Sequence, residues 1–121
     1  MIRGFIMNAV LIDDNDICLD VEAAIMQDID MIDEVHPFNN VNDLLEYMSS
    51  NSVDVAFLDI LMDDSDGISL AMEIKRTQPK CKIIFISSSR DFALEAFQVY
   101  ASGYLLKPVT EEEIINVLSN I

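Results

Sequence analysis

Positive charge is scarce in this sequence. Seven Lys and Arg stand against 22 Asp and Glu, leaving a net charge of −15. Nucleic-acid backbones are bound by clustered cations, so this domain is not expected to touch DNA or RNA itself. Cysteine is scarce too. Cys18 and Cys81 match no metal-ligand spacing and are too few for a disulfide framework, which points to a reducing, cytoplasmic setting. No apolar run approaches the roughly 18 residues of a membrane span, and residues 1–7, with one Arg and no long apolar stretch, do not read as a signal peptide. Linkers, internal repeats and low-complexity segments are absent.

What is present is a chain of 121 residues that is 51% hydrophobic, enough for one domain with a real core and too little to divide. Four short apolar runs, Ile6–Ile12, Val53–Leu58, Ile83–Ile86 and Tyr104–Leu106, are continuous rather than alternating, as in strands covered on both faces. A weaker run, Val35–Phe38, contains Pro37. Because proline removes a ladder donor, this strand is expected at a sheet edge.

Helical patterns lie between the runs. Ile17, Val21, Ala24, Ile25, Asp28 and Ile29 fall at helical spacing, a stripe interrupted only by Asp28. Leu44, Leu45 and Met48 suggest a second helix opened by Asn40 or Asn42. Ile68, Ala71, Met72 and Ile74 suit a third, and Ala93, Ala96, Phe97 and Tyr100 a fourth. Thr110 with Glu113 forms a capping box that opens the last, whose stripe is Ile114, Val117, Leu118 and Ile121. Strand and helix alternating throughout predict an α/β fold with a parallel sheet covered on both faces. The final helix is still amphipathic where the sequence stops, the pattern expected of a domain cut from a longer regulator. His36 reads as a surface histidine, and the seven methionines as core filler.

In such sheets ligands bind beyond the carboxyl ends of the strands. The residues at those ends are Asp13 and Asp14, then Asp59, Ser87, and Lys107–Pro108. Two carboxylates about 4 Å apart repel by roughly 4 kcal/mol at an effective dielectric near 20, so three together need cations. Lys107 supplies one charge. A hard divalent ion with oxygen ligands would supply the rest, and Mg²⁺ suits a few carboxylates plus phosphate oxygens. The set therefore points to phosphoryl transfer with Asp59 as nucleophile. Singly, each residue has a plainer reading: Asp13–Asp14 as a helix cap with its first-turn acid, Lys107 as a strand-end lysine, Ser87 as a loop serine and Tyr104 as core. It is the conjunction that these readings do not explain.

The acidic pair, "LDILM" around Asp59, Gly67, Ser87 and "GYLLKP" at 103–108 together resemble the response-regulator receiver domain of two-component signalling, over nearly the whole chain. The resemblance implies a doubly wound, flavodoxin-like sheet of five parallel strands in the order 2-1-3-4-5, with residues 1–121 forming one receiver domain. It implies that Asp14 ligates Mg²⁺ directly, that Asp13 acts mainly through water, and that Asp59 is both ligand and phosphoacceptor. The Leu61 backbone carbonyl would complete the ligand set, while Lys107 and Ser87 would bind the phosphoryl group. Tyr104 would be the aromatic that turns inward when Ser87 moves, and the Lys107–Pro108 bond would be cis. The implied partners are a sensor histidine kinase and either an output domain or a second copy, met through the fourth helix, fifth strand and fifth helix. The segment "DFALEAFQVYASGYLLKP" is similar to receivers joined to LytTR-type (LytR/AlgR-like) DNA-binding outputs, implying transcriptional control.

Two rival functions are a phosphatase of the haloacid-dehalogenase type and a degenerate receiver used only for docking. The phosphatase would need a second Asp where Leu61 stands. Where many receivers carry proline, this chain has Asp63, followed by Asp64, Ser65 and Asp66. These acids are expected to raise the local negative potential, slow small anionic phosphodonors and favour divalent cations. Asp64, Asp66, Gly67 and Glu73 also mimic a calcium EF-hand loop, but Met62 stands where its first oxygen ligand is required. By the same resemblance, Leu61 and Ser89 would flank the site, at positions where side chains gate water.

Overall fold

The computed structural model describes residues 7–63 and 65–121. Its ten elements alternate: β1 (Asn8–Ile12), α1 (Asp16–Gln27), β2 (Glu34–Phe38), α2 (Val41–Ser50), β3 (Val55–Asp59), α3 (Gly67–Thr77), β4 (Lys82–Ser87), α4 (Ala93–Gln98), β5 (Gly103–Leu106) and α5 (Glu111–Ser119). The strands form one parallel sheet in the order β2-β1-β3-β4-β5. Of the Ile6–Ile12 run, Ile6 lies outside the described residues. Val53 is buried below β3 rather than in it, and the strand instead runs on through Asp59. β2, with Pro37, lies at the edge as its missing donor requires.

Pleating sorts the core. Ala9, Leu11, Val55, Phe57, Ile84, Ile86 and Leu105 face α1 and α5. Val10, Ile12, Ala56, Leu58, Ile83 and Phe85 face α2, α3 and α4. Side chains alternate with period 2 along a strand, so each buried strand feeds both layers and must be apolar at nearly every position. That is why the strand runs are continuous.

The helix faces differ from the sequence expectation in four places. α1 buries Leu19, Glu22, Ala23 and Met26, whereas Ile17 and Val21 are exposed, at 77% and 55%. Positions 19, 22, 23 and 26 carry the same helical period as the expected stripe, rotated around the axis, and the acid at Glu22 disguises it. In α3 Met72 is exposed and Leu70 is buried instead. Phe97 is exposed within α4, of which only Ala96 is buried, and Tyr100 is exposed beyond the end of that helix at Gln98. Ile121 lies beyond α5 and is exposed.

Caps set the helix starts. Asn15, not Asp13 or Asp14, caps α1 by accepting from the Cys18 N–H. Asn40 caps α2, Asp66 caps α3, and Thr110 with Glu113 forms the capping box of α5. Both cysteines are free, with Cys81 buried and its thiol pushed up to about 12 by burial. His36 is half-buried on β2, its ring packed at a tilt against Tyr47 with centroids 4.6 Å apart.

Candidate functional site

The chain reverses direction across the sheet between β1 and β3: β2 lies on one side of this pair, β4 and β5 on the other. A crevice forms at the carboxyl ends of the two strands where the order reverses. Asp13 follows β1 and Asp59 ends β3, so topology alone delivers both carboxylates to that crevice.

Oxygens of Asp13, Asp14 and Asp59 lie within 4.8 Å of one another. Asp13 is fully buried and Asp59 is 4% exposed. Lys107 reaches across from the turn after β5, its Nζ donating to Asp13 Oδ2 at 2.7 Å and to Asp59 Oδ2 at 3.3 Å. Asp13 Oδ1 accepts the Asn15 N–H at 2.9 Å, which turns the chain from β1 into α1. One carboxylate thus fixes both the lysine and the local turn. Oxygen donors crowded at this spacing and balanced by a single ammonium fit a small, hard divalent cation such as Mg²⁺.

The electrostatics agree with that crowding. Burial pushes the Asp59 carboxyl up from 3.8 to about 6, helped by the Asp13 charge and opposed by Lys107. Burial opposes the charge on Lys107, yet the Asp13 hydrogen bond and the charges of Asp59, Asp13 and Glu22 hold its pKa above the ordinary lysine value. Glu22 is a site residue that the sequence reading missed. It reaches in from the buried face of α1, is 5% exposed, and is pushed up from 4.5 to about 7 by burial and then by Asp13. The available signal was an acid at a position where the 19/23/26 stripe calls for an apolar residue.

Among the described residues the Ser87 and Tyr104 side chains bond elsewhere than to the carboxylates. Ser87 is fully buried at the end of β4, and Tyr104 packs in the α2/α3/α4 layer, its ring 6.5 Å from Phe85. The two meet through Ser89: the Ser89 N–H donates to Ser87 Oγ at 3.1 Å, and the Tyr104 hydroxyl donates to the Ser89 carbonyl. Ser89 is therefore a backbone link between them. Leu61 is 50% exposed beside the site, its N–H donating to Asp59 Oδ1 at 3.3 Å. The Lys107–Pro108 bond is cis.

The acidic loop is tied to the cluster by its backbone, for the Asp63 N–H donates to Asp14 Oδ2 at 2.6 Å. Proline at 63 would remove that donor. Asp64 lies outside the described residues. Asp66 caps α3 and Glu73 pairs with Arg76 on the same helix, so neither is arranged as an EF-hand ligand.

A family model described as the response regulator receiver domain matches residues 9–119. The chain belongs to this family. The sensory transduction protein LytR of Staphylococcus epidermidis is 32% identical over 115 residues, covering 95% of this chain and 46% of that protein. Protein MrkE of Klebsiella pneumoniae is 31% identical over 121 residues, all of this chain and 45% of that protein. The receiver thus spans about half the length of the curated relatives it matches. The crystal structure of the MrkE response regulatory domain superimposes with a TM-score of 0.82 at 32% identity, covering 93% of both chains. These relatives agree with the LytR-like sub-family. This is a receiver domain of two-component response regulators, a different family from the haloacid-dehalogenase phosphatases. Among the described residues no helix is long and apolar enough to cross a membrane.

Proposed function

We propose that this receiver is a phosphorylation switch in which Asp59 accepts a phosphoryl group from the phosphohistidine of a sensor kinase. The observation that carries the reading is the buried Asp13–Lys107–Asp59 cluster, in which one ammonium answers several carboxylates. An Asp59 carboxylate oxygen attacks phosphorus in line, the phosphorus–nitrogen bond breaks with its electron pair kept by nitrogen, and the imidazole, protonated on its other ring nitrogen, leaves neutral. Asp13, Asp14 and Asp59, with the Leu61 carbonyl, would hold Mg²⁺, which supplies charge neutralisation between the carboxylates and the phosphoryl oxygens. Lys107, already against Asp59, supplies a further positive charge to those oxygens. Water later breaks the phosphorus–oxygen bond and restores the carboxylate. Of all these groups the chain contributes position and charge, where most catalysis of phosphoryl transfer resides.

The new group brings about −1.5 to −2 charges and three acceptor oxygens. Ser87 turns its hydroxyl to one of them and gives up the Ser89 N–H. Because Tyr104 is bonded to the same residue, it is released to follow, and the α4–β5–α5 face changes. That face would meet an output domain or a second copy in the cytoplasm, leading to transcriptional control without nucleic-acid binding by the receiver itself.

The test is titration with beryllofluoride and Mg²⁺, followed by tyrosine fluorescence or NMR. A saturable response is expected in the parent and none in Asp59→Asn. A parent that does not respond overturns the reading and leaves a docking-only receiver.

A further inference from the structure

α4 ends in a way that neither its backbone nor the core explains. The Tyr100 N–H donates to the Phe97 carbonyl at 3.0 Å, and the Ala101 N–H to the Ala96 carbonyl at 3.1 Å. These are the two bonds of a Schellman cap, whose turning residue has a left-handed backbone and is usually glycine. Here that residue is Tyr100, with φ 59° and a side chain 83% exposed. The fold thus carries an aromatic ring on its outside, at a position where the backbone disfavours one.

With Met72, Lys75, Pro79, Gln98 and Val99, Tyr100 lines a groove of about 500 Å³ between α3 and the corner that leads into β5. Met72 is exposed there as well. The charge beside this apolar surface is opposite in sign to that of the molecule. Of the seven Lys and Arg, four stand within residues 75–82, a stretch without a single acid. Arg76 is paired with Glu73, whereas Lys75, Lys80 and Lys82 form no ion pair among the described residues. The Lys75 ammonium donates to the Pro79 carbonyl at 3.5 Å, at the groove itself, and Lys80 follows Pro79 directly. All of this lies at the end of α3 and the start of β4, whereas the acidic cluster gathers beyond the carboxyl ends of the strands.

We propose that this groove is a docking site for an acidic amphipathic helix of another protein. The apolar stripe of that helix lies on Met72, Val99 and Tyr100, and its carboxylates face Lys75 and Lys80. Charge complementarity selects this occupant. A nucleic-acid backbone has no apolar stripe, and the rest of the chain, with 22 acids against three cations, repels both it and an anionic membrane. A second copy presenting the same groove would set lysine against lysine. The groove is separate from the carboxylate cluster, so the inference does not rest on the phosphoacceptor reading.

The experiment titrates the protein into a fluorescein-labelled peptide of Leu and Glu at helical spacing, and into its Leu and Lys counterpart, with anisotropy as the readout. The acidic peptide is expected to bind the more tightly, against the net charge of −15. Lys75→Glu combined with Lys80→Glu should weaken that binding by about tenfold or more. Tyr100→Asn, which suits a left-handed backbone, should weaken it by about the same factor without lowering the melting temperature. Lys75→Gln combined with Lys80→Gln, expected to weaken it by about threefold, carries the test if charge reversal unfolds the protein. An acidic peptide that binds no more tightly than the basic one overturns the inference, and so does binding that the lysine and Tyr100 variants leave unchanged. Light scattering of the protein alone supplies the other arm: self-association that the same variants abolish assigns the groove to a second copy and also overturns it.

Discussion

Asp59 is held under two opposed demands. In the proposed switch it must be ionised to act as a nucleophile, yet burial and Asp13 favour its protonated form. A group whose folded-state value of about 6 exceeds its unfolded 3.8 binds its proton more tightly in the native protein. The free energy of unfolding therefore falls as pH rises from about 4 to 6, and Glu22 extends the fall towards 7. Without metal, Asp59→Asn is expected to flatten the decline between pH 4 and 6 and to gain about 1–3 kcal/mol at pH 7. Urea denaturation across that range measures it, and an unchanged slope would refute the assignment. The site thus stores electrostatic repulsion that a bound cation would relieve. The Asp63 N–H on Asp14 shows a second residue-scale device, since the residue after Met62 holds a ligand candidate by its backbone whatever its side chain does.

Among the elements, the start of α3 is the most constrained by the site. Its first residue, Gly67, lies against the backbone of Asp59 and Ile60, and an added Cβ would collide with the Asp59 carbonyl oxygen. The Gly67 N–H also donates to the Ile60 carbonyl at 2.9 Å, so the helix cannot simply withdraw. Gly67→Ala is expected to cost about 2 kcal/mol or more and to weaken beryllofluoride binding. A control, Ser69→Ala, lies two residues further on an exposed face of α3 and should leave that binding intact. Melting curves together with the titration decide this, and a Gly67→Ala variant as stable and responsive as the parent would refute the close-approach argument. The position of Gly67 was visible in the sequence, and its spacing from Asp59 belongs to the family resemblance. The steric reason appears only when β3 and α3 meet. α1 teaches the converse. Its period was legible, but two stripes of equal period compete, and the more apolar one, through Ile17 and Val21, is the exposed one.

At the scale of the molecule, strong negative charge coexists with bare hydrocarbon. Leu94, Phe97 and Tyr100 are 65%, 79% and 83% exposed along and just beyond α4. Tyr100 also has a left-handed backbone, φ 59°, uncommon for an aromatic. Exposed apolar clusters of this kind mark contact surfaces, which supports placing the switching interface on the α4 side. Light scattering with beryllofluoride and Mg²⁺ is expected to show a dimer. Phe97→Ser combined with Tyr100→Ser should weaken it by about tenfold or more while leaving beryllofluoride binding intact. A parent that remains monomeric would remove the homodimer and leave an output domain as the partner of this face.

The sequence by itself determined the alternation of elements, the edge position of β2 and the identity of the residues at the strand ends, because apolar runs, Pro37 and caps such as Thr110 act locally. It also determined which chemistry those residues offer, since carboxylates, a hydroxyl and an ammonium carry their properties wherever they stand. Only the tertiary structure decided which of them meet. Asp13 and Lys107, 94 residues apart, are joined at 2.7 Å because β1 and β5 belong to one sheet with a reversal in strand order. It decided too that Glu22 is buried, for a helix can rotate either of its stripes towards the core, and the contacts made by Leu19, Ala23 and Met26 chose the one that carries the acid.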